Sequence, residues 1–152
     1  MYTSDNGTHP GEAWRRSLSV PSQPRSASLA RAFVREQAQG AGFAPDDVAE
    51  IEVAVGEAVT NAILYGTAGT TSCPPAIALI VGLTGSTMWI EVRDSGPGFD
   101  HAARSAAVRV DDPDALGGRG LHIMEALMDR VHLHHDGTGM RIRLERGIPS
   151  AT

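Results

Sequence analysis

Lysine is missing from this chain, and all 13 basic residues are arginine. A P-loop, whose glycine-rich turn must end in a lysine that reaches the phosphates, is therefore excluded. Cysteine occurs once, at Cys73, so no internal disulfide can form and the thiol is read as a loop residue without a role. No apolar run approaches the roughly 18 residues that a membrane helix needs, and no membrane association is expected. The first residues, MYTSDNGTHPGEAW, lack the basic start and apolar core of a secretion signal, so a cytoplasmic location is the expectation. A net charge of −5 with scattered arginines supplies no concentrated basic face. Direct nucleic-acid binding is accordingly not expected.

What is present fits one domain. A chain of 152 residues, 41% hydrophobic and 20% charged, can bury a core of its own. Residues 1–13 read as a flexible tail, 14–146 as the domain and 147–152 as a second tail. WRRSLSVPS alternates polar and apolar residues up to Pro21 and predicts a short first strand, placed at an edge. Helical spacing of Leu29, Ala32, Phe33 and Glu36 predicts a first helix over 28–39, closed by Gly40.

The second helix has the clearest pattern. Pro45 suits a first helical position, Asp46 and Asp47 suit the positive end of the helix dipole, and Gly66 stands where a left-handed cap belongs. Val48, Ile51, Val55, Val59 and Ala62 fall on one stripe at the 3.6-residue period, which should face a sheet. Glu50, Glu57 and Asn61 fall on the other side. AIALIVGL and TMWIEVRD then read as a hairpin about TGS, and residues 100–120 as a long lid-like loop. GRGLHIMEALMDR regains helical spacing through Leu121, Met124, Leu127 and Met128, and VHLHHDGTGMRIRLER reads as a closing hairpin. The expected fold is α+β: a two-layer α/β sandwich of a mostly antiparallel sheet with helices on one face.

Three local patterns carry chemistry. Glu57 and Asn61, four apart on a helix, can address one ligand. No lysine or arginine lies between Asp46 and Tyr65, so an ordinary solvated face of mixed sign explains this helix poorly. An amide oxygen suits a magnesium ion and a carboxylate suits a base. DSGPGF places Asp94 at a strand end ahead of Gly96 and Gly98, as either a turn or a site where backbone approaches a ligand closely. GGRG at 117–120 puts backbone amides at a helix start, which is either a cap or an anion cradle. His132 and His134 share a strand face, but without further clustered ligands they read as non-metal positions. Trp14, Trp89 and the methionines of the third helix are expected in the core or an interface.

Taken in order, EAVTNA, DSGPGF, GGRGLHIMEALMD and GTGMRIRL resemble the N, G1, G2 and G3 boxes of the GHKL, or histidine kinase-like, ATPase superfamily. Glu at the head of the N box and the IMEALMD helix are most similar to bacterial anti-sigma factor serine kinases. That resemblance implies the Bergerat fold and the use of ATP and Mg²⁺. By position it implies that Asn61 holds the Mg²⁺ and that Glu57 is the catalytic base toward a partner's serine. It assigns Asp94, with Thr138, to the adenine amine, Gly96 and Gly98 to the floor beneath the base, and Gly118, Arg119 and Gly120 to the phosphates. It further implies a sigma factor and an anti-sigma factor antagonist as partners, and a homodimer. Leu116 departs from the pattern, because family members can carry an arginine just ahead of this glycine pair. Arg104, Arg109 and Arg119 are the alternative cations. Without any of them, the fold would serve as a non-catalytic ATP-binding module.

Overall fold

The computed structural model describes residues 2–4, 11–65, 76–94, 118–135 and 139–150. Its strands are β1 (Tyr2–Ser4), β2 (Glu12–Pro21), β3 (Ala76–Thr84), β4 (Thr87–Asp94), β5 (Arg130–His135) and β6 (Met140–Gly147). The helices are α1 (Ser26–Ala41), α2 (Pro45–Tyr65) and α3 (Gly118–Leu127). All six strands join one sheet in the order β1-β2-β3-β4-β6-β5, and every pairing is antiparallel. The expected two-layer α+β sandwich is therefore observed.

Strand register explains which side chains meet the helices. Leu18, Leu79, Val92, Ile142 and Leu133 align across five strands, and Val81, Ile90, Leu144 and Val131 form the next row. These residues join the core with Val48, Ile51, Val55, Val59 and Ala62 of α2, because alternation sends every second side chain to the same face. Fully burying each larger side chain of that stripe contributes roughly 1.5–3 kcal/mol. Helix propensities differ by only about 0.7 kcal/mol per residue among ordinary residues. Packing on the sheet, more than intrinsic preference, therefore sets where α2 lies. Ala54 and Ala58, both fully buried, leave the room for close approach.

Alternate residues form the opposite face, which is polar. Trp89 is almost fully buried there, with the Arg143 and Arg15 guanidinium carbons 4.5 and 5.3 Å from its ring centroid. The expectation for it is the core or an interface; it is buried outside the helix-covered core, with arginine stems as its cover. Beside it, Glu91 accepts hydrogen bonds from Arg93 and Arg143. Burial alone would push the Glu91 carboxyl up, but the hydrogen bond and charge of Arg93, the hydrogen bond of Arg143 and the charge of Arg141 outweigh it. Glu91 is held below the ordinary carboxylate range.

Several sequence expectations need correction. The first strand is neither short nor at an edge: β2 has ten residues and lies between β1 and β3. Part of the expected N-terminal tail supplies the edge instead, with Tyr2 paired to Leu18 and Ser4 to Arg16. The first helix runs through Gly40 to Ala41, and Gly42 closes it at φ 101°, a left-handed geometry that glycine adopts without steric cost. At the other end, Gly147 belongs to β6 and the Ile148 amide donates to the Ser86 carbonyl at 2.7 Å. No helix among the described residues is long and apolar enough to cross a membrane.

Candidate functional site

The absence of cations from α2 has a tertiary explanation at most of its acids. Arg35 of α1 reaches Glu52 at 2.7 Å, and Arg146 of β6 reaches Asp47 at 2.5 Å and Glu50 at 2.7 Å. The counter-charges come from neighbouring elements. Asp46 and Glu57 have no described cation paired with them, and of these two only Glu57 is half-buried.

Glu57 and Asn61 are half-buried and stand between α2 and the first turn of α3. A β-carbon placed on Gly120 would lie 3.1 Å from Glu57 Oε2 and 3.5 and 3.6 Å from the two polar atoms of the Asn61 amide. The expectation that they line a face of α2 opposite its apolar stripe is thus refined: both lean onto a second helix. Gly118 opens that helix, Arg119 is exposed and Gly120 is buried. The first backbone amides of any helix lack partners within it, and the helix dipole adds positive potential there. A carboxylate, an amide oxygen and a set of amide donors therefore occupy one place. That donor set fits a metal–triphosphate ligand, because magnesium characteristically takes one or two protein oxygens and shares phosphate oxygens.

Asp94 ends β4 on the helix-facing side of the sheet, cross-strand from Ile77. It is 9% exposed, and its Oδ2 accepts from the Met140 amide at 3.3 Å. Gly139 lies against it so tightly that a β-carbon would stand 2.4 Å from the Asp94 carbonyl oxygen and 3.1 Å from Oδ1. No side chain fits there without a backbone shift. A carboxylate buried at a strand end and held by main chain is suited to accept from a ligand's amine. Asp94 was legible in the sequence and Gly139 was not; its signal is the second glycine of GTG at 137–139, next to Thr138.

Gly96, Gly98, Thr138, Leu116, Arg104, Arg109, Gly66 and Cys73 lie outside the described residues. His132 and His134 are exposed on β5, cross-strand from Arg143 and Arg141. Among the described residues no cluster of three His, Cys, Asp or Glu could hold a metal ion.

This fold sets an acid and an amide against a glycine-opened helix. The profile of the histidine kinase-like ATPase domain matches residues 20–146, and the chain belongs to that family. The serine-protein kinase RsbW of Listeria monocytogenes is 30% identical over 125 residues, covering 78% of each chain. RsbW of Bacillus licheniformis is 28% identical over the same length and share of this chain. Among solved structures, the RsbU and RsbW domains of a Mycobacterium tuberculosis protein superpose with a TM-score of 0.62 at 24% identity. That match covers 86% of this chain and 32% of the other, and shows the common fold. The resemblance to anti-sigma factor serine kinases, drawn from the glutamate that heads the N box and from the IMEALMD helix, agrees with these relatives.

Proposed function

We propose that this protein is an ATP-dependent serine/threonine kinase that sequesters an RNA polymerase sigma factor and phosphorylates an anti-sigma factor antagonist. The kinase class is that of its RsbW relatives. The partners and a homodimeric state follow from the family resemblance. The observation that carries the reading is the convergence of Glu57 and Asn61 on Gly120 at the head of α3.

Bound ATP with Mg²⁺ supplies the phosphoryl group and the neutralising charge that such a transfer requires. Glu57 takes the proton of the incoming serine or threonine hydroxyl as its oxygen bonds the γ-phosphorus and the bond to the ADP oxygen breaks. Asn61 would hold the metal through its amide oxygen. The amides of Gly118, Arg119 and Gly120 would donate to phosphate oxygens, and the exposed Arg119 guanidinium would add positive charge. Asp94 would accept from the adenine amine, and the roles of Thr138, Gly96 and Gly98 toward the base are those the family resemblance implies.

Leu116 favours a second reading, an ATP-binding module without transfer, because the position ahead of the glycine pair lacks a cation. Transfer of labelled γ-phosphate to a candidate antagonist separates the two. The kinase reading expects Glu57→Ala to bind ATP and transfer nothing, and Asn61→Ala to lose the magnesium dependence of binding. A wild-type protein that binds ATP but labels no antagonist supports the module.

A further inference from the structure

Arg146, outside the four boxes, connects three groups. Its guanidinium donates to the Leu127 carbonyl at the last turn of α3 at 2.8 Å, and pairs with Asp47 and Glu50 in the first turns of α2. Its side chain is only 14% exposed. Solvent screening, which makes most surface pairs weak, is thus reduced here. The planar guanidinium has five donors in a fixed fork and can satisfy two carboxylates and a carbonyl simultaneously, which a lysine ammonium on its flexible stem does poorly.

The three contacts tie the start of α2 to the end of α3. The two helices pack directly on each other, and their other ends meet where Glu57 and Asn61 face Gly120. At about 1.5 Å per residue, Asp47 lies roughly 15 Å along α2 from Glu57, and Leu127 roughly 10 Å along α3 from Gly120. Helices transmit such a constraint as nearly rigid bodies. A shift of α3 against α2 at the Arg146 end displaces the Gly120 turn relative to Glu57, and catalytic rates are sensitive to misplacements of about 1 Å.

We propose that Arg146 is a positioning residue for phosphoryl transfer, setting the α3 phosphate cradle against Glu57 and Asn61 from the far end of the helix pair. This rests on the kinase reading above. It also separates two parts of the ligand, since Asp94 is carried by the sheet and the phosphate cradle by α3. Adenosine binding is therefore insensitive to the clamp, whereas binding and transfer of the triphosphate depend on it.

The test measures adenosine affinity, Mg²⁺–ATP affinity, transfer rate and thermal unfolding for the wild type, Arg146→Met, Arg146→Lys and the pair Asp47→Asn with Glu50→Gln. Arg146→Met is expected to keep adenosine affinity within about two-fold and to lose roughly ten-fold or more in transfer. Arg146→Lys should recover part of that loss. The acid pair should fall in the same direction, and combining it with Arg146→Met should add little, the signature of residues acting as a unit. If Arg146→Met does not fold, the acid pair alone carries the test. An active wild type whose acid-pair variant and folded Arg146→Met variant transfer within two-fold of normal would overturn the clamp. So would parallel loss of adenosine and ATP affinity. A wild type without any transfer removes the kinase reading, and the clamp's role in transfer with it.

Discussion

Glu57 Oε2 lies 3.1 Å from where a β-carbon on Gly120 would stand. The smallest side chain at 120 would crowd the carboxylate proposed to act as base, while the nearest groups are ends of side chains that can yield by a few tenths of an ångström. Gly120→Ala should therefore fold, with a stability change within about 1 kcal/mol, the scale on which alanine exceeds glycine in helices. Phosphate transfer should fall about ten-fold or more as Glu57 is displaced. Thermal unfolding and labelled-phosphate assays on the same preparation check both parts, and full transfer in Gly120→Ala would remove Glu57 from the reacting position.

Asp94 and Gly139 make a second such pair, but here the crowded atom is backbone. Gly139→Ala places a methyl 2.4 Å from the Asp94 carbonyl oxygen, and relief requires β4 and the start of β6 to part. A loss of about 1–3 kcal/mol in urea unfolding is expected, the usual range for overpacking. Asp94→Asn is the gentler change, because asparagine still offers an oxygen to the Met140 amide. It should leave stability nearly intact and weaken ATP binding by about 1–3 kcal/mol through the lost adenine contact. Calorimetric titration with ATP decides this; unaltered affinity in Asp94→Asn would dismiss the adenine role.

Glu91 offers a prediction about pH. Its carboxyl is held below the ordinary range by Arg93, Arg143 and Arg141 against the opposing effect of burial. The unfolded chain therefore binds more protons at this site than the folded chain in the interval between the folded and unfolded pKa values. The stabilisation is fully present above the unfolded value, near pH 4.3, and disappears as pH falls through the lower folded value. Glu91→Gln should cost about 1–2 kcal/mol at neutral pH, discounted for the 44% exposure of Arg93. The gap between wild type and variant should close progressively below about pH 4. A gap that stays constant down to pH 2.5 would show that the carboxylate charge is not the source.

Local patterns in the sequence had local outcomes. The stripe from Val48 to Ala62 is buried throughout, because a 3.6-residue period of apolar groups can be hidden only by one orientation of one helix. The β3–β4 hairpin was equally legible, since two apolar runs separated only by the turn residues TGS have few other pairings. Legibility ended where a feature depended on residues far apart in the chain. The cap at Gly42 in place of Gly40, one half-turn later, follows from α1 packing against α2 and not from spacing within α1. Tyr2–Ser4 has little apolar pattern of its own and becomes a strand because β2 presents an edge for it to pair with. The acids of α2 suggested an unusual face, yet Arg35 and Arg146 neutralise three of them from other elements.

The amino-acid order by itself determined most of the elements, their apolar faces and the four boxes that mark a histidine kinase-like ATPase, since each depends on periods and short spacings that the local backbone enforces. Only the tertiary structure decided that Glu57 and Asn61 share their space with Gly120, that Gly139 locks against Asp94, and that Arg146 joins the far ends of α2 and α3. Those contacts span from 19 to 99 positions of chain where the hydrogen bonds measure them. Closure over such separations is fixed by the packing of helices on a sheet, which no short window of sequence encodes.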